Sequence, residues 1–125
     1  MGIEDQEEVV ISHIVLFRPR RSLTPDQRQT LVNALRGAVE GIPHIKRATI
    51  GKRLLLNRPG YETQMAEHYE YSAILEFDSE ADLRAYLDHP AHDELGKLLF
   101  ASAESVLAYD FMSVAPQDIS KLVDP

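Results

Sequence analysis

Residues 9–17, VVISHIVLF, are rich in β-branched side chains and predict a strand that is apolar on both of its faces. Successive side chains of a strand alternate, so Ile11, His13, Val15 and Phe17 share one face, and Val10, Ser12, Ile14 and Leu16 share the other. Residues 105–114 repeat the pattern: Val106, Ala108, Asp110, Met112 and Val114 lie on one side, and Leu107, Tyr109 and Phe111 on the other. A single layer of helices covers one face of a sheet. Two strands with apolar side chains on both faces therefore require a second cover, and for a chain of this size a second copy packed sheet to sheet supplies it.

The segments between these strands follow a regular order. Thr24, Pro25 and Gln27 form a helix start with a capping box, followed by Leu31, Ala34, Leu35, Ala38 and Val39 at helical spacing until Gly41. Residues 45–55 predict a second strand and residues 57–68, with Arg58, Pro59 and Gly60, a long polar loop. Residues 69–77 alternate Tyr71, Ala73, Leu75 and Phe77 against Ser72, Ile74 and Glu76, a third strand. Ser79 caps a short helix carrying Leu83, Tyr86 and Leu87, and a further helix carries Leu95, Leu98 and Leu99. The order β-α-β-β-α-α-β is that of an α+β, ferredoxin-like protomer: a four-stranded antiparallel sheet with helices on one face, the second helix broken in two. Residues 9–114 are expected to form this one domain, preceded by an acidic extension at 1–8 and followed by a tail at 115–125.

The break itself is chemically rich. Between Tyr86 and His92 the chain places one phenol and two imidazoles around Pro90, which ends one helix at His89 and suits the first position of the next. His92 then falls in a helical first turn, where the positive end of the helix dipole disfavours imidazolium and favours a proton acceptor. His13 and Asp110 interrupt otherwise apolar, helix-facing rows on the first and last strands, which are neighbours in a ferredoxin-like sheet. Burial of either is costly without a partner, so a network of His13, Asp110 and His92 is expected beneath the helices. In that arrangement His92 acts as general base, Asp110 orients its imidazole, and the Tyr86 hydroxyl meets a carbonyl oxygen as charge develops on it. Such a site suits proton abstraction beside a carbonyl without a cofactor.

Other functions fit less well. A net charge of −7, with Arg18, Arg20 and Arg21 as the only basic knot, argues against a nucleic-acid or anionic-membrane surface. With no cysteine, thiolate chemistry and Cys-ligated zinc are excluded. Pro90 breaks the helix that would align His89 with His92 on a metal, and no third ligand is evident, so no metal is expected. No apolar run reaches the roughly 20 residues of a membrane span, and the acidic start does not read as a signal peptide, which makes a soluble cytoplasmic protein the default. His44 and His68, in loop-like surroundings, are expected to be solvated.

The residues His13 to Phe17, Pro43, the Tyr86, His89, Pro90, Ala91, His92 corner and the closing Tyr109, Asp110, Phe111 together resemble the stress-responsive dimeric α/β-barrel (Dabb) family. The resemblance implies a protomer whose sheet packs on that of a partner to make a dimeric α+β barrel. It also implies, by similarity to a plant polyketide cyclase of that family, that Tyr86, His92, Asp110 and His13 are catalytic. A cavity histidine of that cyclase falls near Tyr71 here, so Tyr71, with His89, is expected to bind substrate. The implied activity is that of a cofactor-independent lyase or cyclase on a small aromatic or polyketide-like compound. The alternatives are a non-catalytic, stress-responsive homodimer that binds a small molecule, and a cofactor-free monooxygenase.

Overall fold

The computed structural model describes residues 9–123. Strand β1 (Val10–Pro19) leads into helix α1 (Pro25–Gly41), then strands β2 (Arg47–Lys52) and β3 (Tyr71–Phe77). Helices α2 (Glu80–Leu87) and α3 (Pro90–Ser102) follow, then strand β4 (Ala103–Ser113) and a short C-terminal helix α4 (Ser120–Val123). The strands form one antiparallel sheet in the order β2-β3-β1-β4, the ferredoxin-like arrangement.

Local chemistry places each helix boundary. The Thr24 side chain accepts from the Gln27 backbone N–H at 3.1 Å while the Gln27 side chain accepts from the Thr24 N–H at 2.9 Å, so two otherwise unpaired donors are satisfied reciprocally. The Ser79 hydroxyl accepts from the Asp82 N–H at the start of α2. At the corner, the proline ends α2, and His89 caps α3 with Pro90 in its first turn.

One face of the sheet meets the helices. Its core comprises Leu75 and Phe77 from β3, Ala38 from α1, Ile42 just beyond that helix, Leu83 and Tyr86 from α2, and Leu95 from α3. On the opposite face the register sets Ile14 against both Ile74 and Tyr109, and Leu16 against Leu107. These residues, with the half-exposed Phe111, make an apolar strip across three strands with no helix over it among the described residues.

The loop departs from expectation. β2 ends at Lys52 because β3, its only neighbour, begins at Tyr71; one more backbone bond, Arg53 N–H to the Glu70 carbonyl at 2.7 Å, closes the pair. Residues 57–68 are then folded tightly on themselves. The Glu62 carboxylate accepts from the backbone N–H groups of Leu56 and Asn57, a 3-10 turn spans Glu62–Gln64, and Gly60 supplies the positive φ of 77° that the turn before it requires. Arg18 organises this loop: its guanidinium donates to Glu67 and to the His68 carbonyl, both at 3.1 Å, and lies 5.1 Å from the Tyr69 ring centre.

Candidate active site

Directly opposite each other on β1 and β4, His13 and Asp110 form the shortest side-chain pair of the sheet: Nδ1 to Oδ1 is 2.6 Å. His13 is buried under the helices. Its ring meets that of Tyr86 edge-on, with centroids 5.6 Å apart, and Tyr86 in turn lies 4.8 Å from the His92 ring and 5.3 Å from that of Phe77. The four polar side chains thus form a row: Asp110, His13, Tyr86, His92.

This order corrects the expected network. Asp110 touches His13 rather than His92, since the strand register fixes its partner and Tyr86 stands between the two imidazoles. Nor is Asp110 buried: 48% of its side chain is exposed, because β4 is an edge strand with β1 as its only neighbour. The carboxylate is where the row reaches solvent. There it faces an open groove of about 360 Å³ with apolar walls from Ile11, Leu83, Leu87 and Met112, rimmed by the Glu80–Arg84 ion pair at 2.7 Å.

The environment sets the protonation states. Tyr86, only 3% exposed, has its pKa pushed up to about 12 by burial, so the phenol keeps its proton and can serve as a donor. Burial likewise lowers the pKa of His92, and the nearby His13 lowers it further, against the opposing effects of Asp93 and the Leu87 backbone. A neutral imidazole results, as expected from the sequence, although desolvation is the leading cause. The His92 Nδ1 is buried and has no hydrogen-bond partner. An unpartnered buried atom costs roughly 1–3 kcal/mol, so this nitrogen, beside a phenol in a polar row, is available to accept a proton or a hydrogen bond.

Neither of the two residues expected to bind substrate shares a side-chain hydrogen bond or ring contact with this row among the described residues. His89 is a helix cap whose Nδ1 accepts from the Ala91 N–H at 3.0 Å, which leaves only its Nε2 for a ligand. Tyr71 shares the helix-side face with Leu75, the partner of His13, but four residues further along β3, roughly 13 Å at the usual strand rise. It lines a second groove at the other end of the sheet. His68 is exposed, as expected, with its Nδ1 accepting from Arg53 at 2.7 Å, whereas His44 Nδ1 is buried without a partner. Among the described residues no three His, Asp or Glu side chains are grouped as metal ligands, and no helix is long and apolar enough to cross a membrane.

Residues 11–113 match the family described as the stress responsive A/B barrel domain. No curated protein matches the chain. Among solved structures it is similar to a dimeric ferredoxin-like protein of unknown function from Thermobifida fusca YX, with 30% identity, a TM-score of 0.66, and coverage of 84% of this chain and 92% of that one. It shares its fold with the hydroxynitrile lyase of Passiflora edulis at 20% identity and a TM-score of 0.69, covering 83% of this chain and 93% of that one. The same holds for SnoaB, a cofactor-independent oxygenase from Streptomyces nogalater, at 13% identity and a TM-score of 0.60, covering 83% and 92%.

Proposed function

The chain belongs to the stress-responsive A/B barrel domain family, and within that family we propose that it is a cofactor-independent lyase or cyclase that makes or breaks a carbon–carbon bond beside a carbonyl. The observation that carries this reading is the neutral His92, with a buried and unpartnered Nδ1, set against a phenol that retains its proton. In the aldol direction, His92 removes a proton from the carbon next to a carbonyl, and the Tyr86 hydroxyl donates to that carbonyl oxygen as it becomes anionic. The enolate carbon attacks a second carbonyl of the same substrate, and the imidazolium returns its proton to the new alkoxide. His13, fixed by Asp110, braces the other side of the Tyr86 ring. The substrate in this reading is a small aromatic or polyketide-like compound held beside Tyr86 and His92; the groove at Asp110 meets the other end of the row.

The working unit in this reading is a homodimer, its two sheets packed through the apolar strip of β1, β3 and β4. The dimeric assembly of the similar Thermobifida protein supports it. A second reading, a non-catalytic dimer that holds a small molecule, draws on the near-complete burial of Tyr86.

Turnover of a panel of small β-dicarbonyl and poly-β-ketone compounds separates the two. Under the catalytic reading, His92→Ala lowers turnover by about 10²-fold or more, the scale for loss of a general base. Asp110→Asn impairs turnover through His13 and leaves the dimer intact. Full activity in His92→Ala rules out this mechanism; ligand binding with no turnover in the wild-type protein favours the second reading.

A further inference from the structure

The second groove, about 390 Å³, lies between the β2 and β3 ends and the loop that joins them. Its apolar lining comes from Leu16, Leu54, Tyr61, Met65, Tyr69 and Tyr71, and its charged lining from Lys52, Arg53, Glu62 and Glu67. The four charges are not equally available. Glu62 is consumed by the backbone N–H groups of Leu56 and Asn57, and Glu67 by Arg18 at 3.1 Å. By contrast, Lys52 makes no ion pair with another described residue, and the Arg53 guanidinium donates only to the His68 Nδ1 among described side chains. Two cations without anions of their own therefore face a pocket walled by phenol rings, leucine and methionine.

We propose that this groove binds an apolar monocarboxylate, aryl or alkyl, with its carboxylate between Lys52 and Arg53 and its apolar body against Tyr61, Met65 and Leu54. A carboxylate supplies the charge the two cations lack, and charge-assisted bonds to a guanidinium are the strong ones. The apolar body covers side chains that are otherwise exposed: Leu54, Tyr61 and Met65 are all open to solvent. The site is separate from the Tyr86 row and independent of the chemistry proposed there. It also gives Tyr71 a binding role at a place other than the one the family resemblance implies.

Octanoate, with octanol as its uncharged counterpart, tests the assignment by titration calorimetry and by chemical-shift mapping on the full chain. Octanoate is expected to saturate one site per chain, about tenfold or more tighter than octanol, and the Lys52→Met, Arg53→Met double variant to lose about tenfold. Because Arg53 also holds His68, Lys52→Met alone provides the check that folding is unaffected, with a weakening of about threefold or more. His92→Ala and Tyr86→Phe are expected to leave octanoate binding unchanged, so failure of the proposed catalysis does not touch this result. Equal affinity for octanol, insensitivity to both lysine and arginine variants, shifts confined to the Asp110 groove, or a crystal of the dimer in which the second copy's side chains fill the groove would each overturn the proposal.

Discussion

A pair of phenylalanines separates the effect of position from that of exposure. Phe111 on β4 is 51% exposed and Phe100 on α3 is 71% exposed, yet only Phe111 stands on the helix-free strip. A phenylalanine buries roughly 200 Å² when fully covered, so about 100 Å² of Phe111 is left for a partner to cover. At about 25 cal/mol per Å² this is about 2.5 kcal/mol per copy, and a twofold interface presents the residue twice, for about 5 kcal/mol. Phe111→Asp removes that contribution and adds the desolvation of a carboxylate, so the dimer constant should weaken by at least about three orders of magnitude. Phe100→Asp, which alters more exposed surface, should leave it unchanged. Sedimentation velocity over a dilution series starting at micromolar protein reads both variants directly. If Phe111→Asp sediments as the wild type, or if Phe100→Asp is the variant that dissociates, the assignment of the interface to the helix-free face is wrong.

Acidification tests the environment of His92. Its folded-state pKa lies below the ordinary imidazole value of 6.5, so below that pH the unfolded chain takes up a proton that the folded chain resists. The stabilising contribution is complete above 6.5 and is lost as the pH falls, and His92→Gln removes it; melting temperatures at about pH 7.5 and about pH 5.5 should therefore drop further in the wild type than in the variant. Parallel drops in the two proteins would show that His92 titrates normally. Leu75, only 2% exposed between the helices and the sheet, should cost about 2 to 5 kcal/mol on replacement by alanine, measured by urea denaturation, and a loss below about 1 kcal/mol would mean that this core is poorly packed.

Much of this was legible because the relevant signals are local. Thr24, Gln27 and Ser79 carry their caps within three residues, and Pro90 breaks a helix wherever it stands. The pairing of His13 with Asp110 was also legible, since each interrupts an apolar row and the first and last strands adjoin in this topology. What alternation cannot supply is position along a strand. It put Tyr71 on the correct face and left open which residue of β3 stands opposite His13, a place taken by Leu75, because register depends on the partner strand. It also could not distinguish an edge from a centre, which is why Asp110 read as buried. Arg18 was invisible for a different reason: its contacts to Glu67 and His68 join residues about fifty positions apart, and no short-range pattern encodes them.

Strand β1 occupies an interior place in the sheet, with β3 on one side and β4 on the other, and it carries His13 on one face and Ile14 and Leu16 on the other. The acid–base row and the apolar strip are therefore printed on the two sides of one ribbon a single residue thick. A hinge between the two functions is not available, because neighbouring peptide groups of the same strand serve both. Insertion or deletion of one residue within β1 would exchange the sides, sending the imidazole toward the strip and isoleucine toward Tyr86, so chemistry and self-association would be lost together. In the proposed dimer a second copy would pack on the same strand that carries His13, with no loop between the two faces.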